Sequence, residues 1–336
     1  MFGASIGIIW QKKHAGEVHR QSFGIFLHLQ HHCPAMKLTL VRNGIFPITR
    51  DRNGDLLREE PATGFGIPGT IQGEGKLAGI PVLFIRTSGC NLRCVWQTDN
   101  GEVSLCDTSY ASHYPDEQEE WETEDIINVL KHNSSNIRHV VISGGEPTIQ
   151  ALSLCELAKK IKSRLGFHVT LETNGVNYIQ RLTEWIDLFS ISPKLSSSEP
   201  DKHKNQQLHE KVTEVLIGDH KKNRKNINAI QHYINACMEL KSYYGDKPDK
   251  VPVRKPSRDF QLKFVISSPA DIEEIKSDFL KHLNFVRDED ILLMPVGGTR
   301  EMLGRTAEMT ARLAILNGWR FSPRLHIDLF NDRRDV

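Results

Sequence analysis

The sequence predicts an α/β protein built on a parallel sheet or barrel, and three observations lead there. Six runs rich in Val, Ile, Leu and Phe recur at 81–88, 139–144, 168–174, 188–194, 260–267 and 291–297. They are nearly continuous rather than alternating, as strands covered on both faces should be. Helix-like segments separate them, which is the strand–helix alternation of parallel sheets. The composition is that of an ordinary globular protein, with 39% hydrophobic and 25% charged residues in 336.

Taken in order, Met36 opens MKLTLVRNGIFPI, which reads as a strand. Residues 1–35 before it contain His28, His31, His32 and Cys33; they read as an extension, with a metal-binding tail or a true start at Met36 as alternatives. Thr123 is placed to cap a helix over 124–132, and Thr148 to cap a run that closes on Gly166. Ile272, Ile275, Phe279 and Leu283 recur at helical spacing, and the segment 302–317 stops at Asn317-Gly318. Residues 36–336 therefore read as a single domain. Within it, 201–258 break the rhythm with 13 Lys/Arg against 7 Asp/Glu. Leu208, Val212, Val215 and Leu216 fit one helix face there, and Ile227, Ile230, Ile234 and Cys237 another, so a helical insertion with a loose basic exit is expected. The acidic run 116–125 reads as a solvated loop and helix start. Right-handed crossovers would bring the C-terminal ends of all six strands to one rim, where such folds keep their chemistry.

Charge excludes some functions. Lys+Arg 43 against Asp+Glu 42 leaves +1, which does not suggest a global grip on nucleic acid or an anionic membrane. Six cysteines are too sparse for a disulfide framework. No run approaches the ~20 apolar residues that span a bilayer. The N-terminus lacks the charged region that opens a signal peptide. A reducing, cytoplasmic setting is expected. Cys155 and Cys237 fall on apolar helix faces and read as core.

The other three cysteines crowd together after the first of the six strands. Three residues separate Cys90 from Cys94, and eleven separate Cys94 from Cys106. Three thiolates on one loop suit iron–sulfur or zinc, and from spacing both stay open; His113 is the nearest fourth ligand for a closed zinc site. The second strand ends in Ser143-Gly144-Gly145-Glu146-Pro147, where paired glycines let backbone approach a ligand and the Glu could accept from an ammonium.

CNLRC, a later CDT and SGGEP together resemble the radical S-adenosylmethionine (SAM) superfamily. Thr70-Ile71-Gln72-Gly73-Glu74-Gly75, Arg86, Glu172-Thr173-Asn174-Gly175, Ser192-Pro193-Lys194, Met294-Pro295 and a closing RLHIDLF sharpen this to the 7-carboxy-7-deazaguanine synthase family. The resemblance spans residues 70 to about 330. It departs from the family pattern of C-x3-C-x2-C: Trp96 is in place, but 97–105 intervene before Cys106-Asp107-Thr108, and Asp-Asn-Gly there suggests a small hairpin excursion.

The resemblance implies a partial, incomplete parallel β/α barrel of the radical SAM type carrying the helical insertion. It implies a [4Fe-4S] cluster on Cys90, Cys94 and Cys106 and a Mg²⁺ on Thr108, whose simpler reading is an ST-turn. It places Ile71, Gln72, Gly73, Glu74, Arg86 and Ser143 on the substrate. Leu105, Asp107, Gly145, Ser192, Pro193, Lys194, Met294, Pro295, Val296 and Gly297 fall to SAM. The implied reaction is the ring contraction of 6-carboxy-5,6,7,8-tetrahydropterin to 7-carboxy-7-deazaguanine with loss of ammonia, in preQ0 and queuosine-type synthesis. The implied partners are that small pterin, an electron donor such as flavodoxin or ferredoxin, and a second copy in a homodimer. Family members use a C-terminal carboxylate on the substrate; with the charged ending NDRRDV that role is not carried over. The alternatives are another radical SAM enzyme, such as a glycyl-radical activase, and a zinc-stabilised RNA-binding module using the basic insertion.

Overall fold

The computed structural model describes residues 36–98, 101–112, 117–207, 213–242 and 250–336. His28, His31, His32, Cys33, His113, Leu208 and Val212 lie outside the described residues. The strands are β1 Lys37–Phe46, β2 Thr70–Ile71, β3 Pro81–Thr87, β4 Val95–Gln97, β5 Val103–Leu105, β6 Gln118–Glu122 and β7 His139–Gly144. They continue with β8 His168–Thr173, β9 Leu188–Ile191, β10 Met238–Ser242, β11 Lys250–Arg254, β12 Asp259–Ile266, β13 Ile291–Pro295 and β14 Arg320–Phe321.

All six apolar runs form strands, and all six lie side by side in parallel. The main sheet runs β14-β13-β12-β9-β8-β7-β3-β1-β6, with β2 paired to β3. Every step from β3 to β14 is parallel, while β1 and β6 are added antiparallel. The sheet ends at β14 and β6 without closing, so the fold is a partial β/α barrel.

Alternation within the strands assigns the two faces. Leu83 and Ile85, Val140 and Ile142, Val169 and Leu171, Phe189 and Ile191, and Phe260, Leu262, Phe264 and Ile266 belong to one buried core. Ile126, Leu130, Leu154, Leu157, Ile275 and Phe279 from the crossover helices complete it. At roughly 1.5–3 kcal/mol per buried large apolar side chain, this layer is the main source of stability. The opposite face carries Arg86, Ser143, Glu172, Ser190, Lys263 and Met294 into a cavity at the C-terminal rim.

Local details differ from expectation. Thr123 begins helix Thr123–Asn133 rather than capping it, because Glu122 occupies the cap position with no side-chain bond. Thr148 is itself capped: Glu146 accepts from its backbone N–H at 3.1 Å. The following helix Ala151–Lys160 and its widened turn 161–165 do end on Gly166, in the left-handed region at φ 65°. The acidic run is not a loop, since Gln118–Glu122 forms the edge strand β6 with three of its five residues exposed. Its carboxylates protect that open edge from pairing with other chains.

The insertion holds helices Lys202–Gln207, Glu214–Asn223 and Ile227–Ala236. Ile230, Ile234 and Cys237 pack into the core as the spacing predicts. Val215, in contrast, is 70% exposed. The exit is a hairpin, β10 paired with β11, rather than loose chain. No helix among the described residues is long and apolar enough to cross a membrane.

Candidate active site

The cavity gathers two groups of side chains that are far apart in sequence. One is the cysteine loop. After β3 the chain runs through Gly89 and Cys90 to Cys94, then makes the hairpin β4–β5, with Val95 opposite Leu105 and Gln97 opposite Val103. This is the expected excursion. It returns the chain to its starting point, and the Cys106 N–H donates to the Cys94 carbonyl at 3.2 Å. Cys90, Cys94 and Cys106 all line the cavity, among Leu92, Trp96, Val265 and Val296.

Burial, and the Glu146 charge, push the Cys90 thiol up to about 12. Burial raises Cys94 and Cys106 as well. Unliganded thiols in such surroundings stay protonated. They become thiolates only against a compensating cationic centre, which iron supplies. Three soft donors on one loop, Cys94 buried and Cys90 and Cys106 half-buried, therefore fit a [4Fe-4S] cluster. Among the described residues, no three His, Cys, Asp or Glu side chains come together tightly enough to hold one metal ion.

The second group is charged. Glu74, 12% exposed, is ion-paired to Lys263 of β12 and, at 2.9 Å, to Arg324. Arg324 also pairs with Asp107 and donates to the Gly297 carbonyl. Burial by itself would raise the Glu74 pKa, but Lys263, Arg324 and His326 overturn this and hold the carboxyl far below the ordinary range. Gly73 lies flat against His326, and a Cβ there would collide with the imidazole. Glu172 accepts from the Ser143 hydroxyl at 2.7 Å and from the Gln72 amide at 3.4 Å. Arg86 is stacked on Phe46 and Tyr110, with centroids at 4.7 and 5.5 Å, and donates to the Tyr110 hydroxyl. Its Nε is buried with no partner. Burial lowers its pKa. A cavity-lining guanidinium with an unpaired N–H keeps donor capacity for an anion.

Of the residues singled out in the sequence, Gln72, Gly73, Glu74, Arg86, Ser143, Leu105, Asp107, Thr108, Gly145, Ser192, Lys194, Met294, Val296 and Gly297 line this one cavity. Thr108 lies beside Cys106, its hydroxyl 3.4 Å from the sulfur and from the Gly144 carbonyl. Lys194 donates to Ser192 at 2.8 Å. Ile71, Pro193 and Pro295 are adjacent in sequence to lining residues but do not line the cavity, because their neighbours carry the inward direction.

Two expectations are corrected. Glu146 does not wait for an ammonium: it is fully buried and accepts from the Thr148 and Thr173 hydroxyls and the Asn174 N–H, at 2.5, 2.8 and 2.7 Å. It builds the floor under the rim. The charged ending does not keep the last residue away, since Val336 is buried and lines the cavity. Lys263, Arg324, His326 and Ser190 were not found from sequence. Lys263 and Ser190 sit in apolar runs, and only the period of two within FQLKFVIS and LFSIS marks them as inward-facing.

A partial barrel with three thiols at the C-terminal rim defines a radical SAM enzyme, and residues 84–243 match the Radical SAM superfamily. The 7-carboxy-7-deazaguanine synthase of Halobacterium salinarum is 35% identical over 268 residues, covering 78% of this chain and 88% of the relative. That of Rhodopirellula baltica is 33% identical over 264 residues, covering 78% and 84%. The crystal structure of QueE from Escherichia coli matches with a TM-score of 0.46 and 22% identity over 83% of this chain and 93% of that one. The chain belongs to the 7-carboxy-7-deazaguanine synthase family, and this membership implies a [4Fe-4S] cluster and SAM.

Proposed function

We propose that this enzyme is a lyase that contracts the ring of 6-carboxy-5,6,7,8-tetrahydropterin to 7-carboxy-7-deazaguanine with release of ammonia, in preQ0 and queuosine-type deazapurine synthesis. The observation that carries the reading is the convergence of the three thiols and the Gln72-Gly73-Glu74 loop on one cavity. The product is the substrate less ammonia, so the reaction needs no net electron. The cluster, on Cys90, Cys94 and Cys106, and SAM would together supply a hydrogen-abstracting radical.

The chain's own residues bind, orient and keep water out. Lys194, with Ser192 and the 294–297 turn, would hold the charged groups of SAM; Gly145, Asp107 and Leu105 would complete its seat. Gln72 and Glu74 would read the pterin edge, since amide and carboxylate match its donors and acceptors. Arg86, with its unpartnered Nε, would hold the substrate carboxylate. Ser143 is aimed by Glu172 and would touch the same ring. Thr108 would offer its hydroxyl to a Mg²⁺, which takes few protein ligands. The apolar collar of Leu92, Trp96 and Val296 would exclude water from the reacting atoms. A flavodoxin or ferredoxin would supply the priming electron, in the cytoplasm, and a homodimer would be the working unit.

The test is anaerobic incubation with reductant, SAM and the carboxypterin. The expected product is the deazaguanine acid, made by brown protein. Deoxyadenosine without that acid would point to a glycyl-radical activase, and colourless protein with one zinc would overturn both radical readings. A Thr108→Ala variant that keeps the full response to Mg²⁺ would remove the metal role.

A further inference from the structure

Cys94 sits in a stretch without regular secondary structure, between Arg93 and the start of β4 at Val95. Backbone groups in such a stretch must find partners outside a ladder. On the sheet side the loop is tied by ordinary means: the Glu146 N–H donates to the Gly89 carbonyl at 2.8 Å, and the Asn174 amide to Asn91 at 2.7 Å. The other side is held from the insertion. The Arg93 N–H donates to Nδ1 of His220 at 3.0 Å, and His220, on helix Glu214–Asn223, is 1% exposed. The ammonium of Lys204, on helix Lys202–Gln207, donates to the Val95 carbonyl at 3.3 Å. Its other two protons go to the carbonyls of Ser197 and Glu199, at 3.1 and 2.7 Å, so all three donors are used. Asp201 lies 3.8 Å from the same ammonium, but the three protons of this buried lysine go to backbone carbonyls, which ties those segments together. A buried histidine whose Nδ1 accepts from a main-chain N–H has its tautomer fixed, with the proton on Nε2, 3.4 Å from the Ser198 hydroxyl.

We propose that His220 and Lys204 are positioning residues for the iron–sulfur site: they pin the backbone on either side of Cys94, so the insertion is a working part of that site. The proposal rests on the reading of Cys90, Cys94 and Cys106 as cluster ligands. Neither side chain lines the cavity. Each fixes the direction in which Cys94 leaves the backbone, as outer-shell partners do for metal ligands elsewhere. The two pins come from different helices, so they constrain the loop independently.

The experiment measures iron release from the anaerobic holoenzyme to a ferrous chelator, followed by the visible absorbance of the cluster, with the EPR spectrum of the reduced cluster as a second readout. His220→Leu and Lys204→Met remove one pin each, and His220→Asn restores an acceptor near the position of Nδ1. Iron release is expected to be on the order of fivefold to tenfold faster in His220→Leu and Lys204→Met, the factor that one net hydrogen bond makes. His220→Asn should return to within about twofold of wild type on the same scale. The EPR line shape should change in the first two variants. Wild-type release rates in both, or an asparagine variant no better than the leucine one, would overturn the pinning role. Wild-type protein that takes up no iron would overturn the cluster reading itself, a different result.

Discussion

Glu74→Gln is the sharpest perturbation the site offers. The amide keeps the size and one acceptor of the carboxylate but removes its charge. Lys263 and Arg324 have side chains only 6% and 4% exposed, so neither can turn to solvent. Arg324 would keep Asp107 and the Gly297 carbonyl. Lys263 would keep at most a neutral amide oxygen, with Glu172 at 3.9 Å, beyond hydrogen-bonding distance, as its nearest carboxylate. Breaking a buried pair on one side costs about 3–5 kcal/mol, and the partners Arg324 retains put this case near 3. Urea unfolding of the ligand-free protein at pH 7, followed by circular dichroism, reads the difference. The pH dependence has a definite sign. Because the folded carboxyl titrates far below its ordinary 4.5, its contribution is complete above pH 4.5 and fades as the pH falls below it. The gap between wild type and variant should thus be flat from about pH 7 to 5 and narrow in stronger acid. A loss under about 1 kcal/mol, the worth of an exposed pair, would refute the claim that this carboxylate anchors the charged half of the cavity.

Two further substitutions test the frame around the site. In Gly145→Ala the new Cβ would run into the Gly89 carbonyl and come within 2.9 Å of the Ala111 carbonyl; both are backbone. Overpacking of this kind costs about 1–3 kcal/mol, and iron loading should fall with the urea midpoint because Gly89 leads into Cys90. In Asp290→Asn a fully buried carboxylate held by Lys76 at 2.7 Å and Arg254 at 2.6 Å loses its charge. The unfolding free energy should drop by about 3 kcal/mol in the same assay. An unchanged midpoint would show that the tie between the Gln72-Gly73-Glu74 loop and the hairpin β10–β11 carries no stability.

The layered sheet was legible because its signal is local. PVLFIRT, HVVISG and HVTLET read as buried strands whatever surrounds them, and the caps at Gly166 and Gly318 punctuate helices in any context. The cysteine loop was legible for a related reason: three of the six cysteines fall within seventeen residues, so they stand out. The charged half was not. Glu74, Asp107, Lys263 and Arg324 are up to 250 residues apart, and nothing in the sequence states that they meet. Lys263 in FQLKFVIS is a polar residue within a strand-like run, and no motif singles it out. Read with a period of two, the same run places Lys263 and Val265 on the cavity and Phe260, Leu262, Phe264 and Ile266 on the core. Glu146 was misread for the opposite reason: its motif suggested a ligand contact, but its four acceptor bonds are spent on Thr148, Thr173 and Asn174.

The two halves of the cavity are joined chiefly by one guanidinium. Arg324 reaches Asp107, next to Cys106 on the cysteine loop, Glu74 on the loop after β2, and the Gly297 carbonyl after β13. A planar fork with five donors is the side chain that can hold three segments at fixed spacing; a lysine in its place could satisfy the same charges but not fix their directions. The proposed chemistry makes that spacing decisive. A radical generated at the thiol-lined end reaches only the hydrogen it touches, so misplacing the substrate by about 1 Å can cost 100-fold in rate. The buried network therefore matters more for where it places the Gln72-Gly73-Glu74 loop relative to the cysteines than for the stability it adds. The arginine that sets this distance stands at the start of the closing segment RLHIDLF, far in sequence from every residue it aligns.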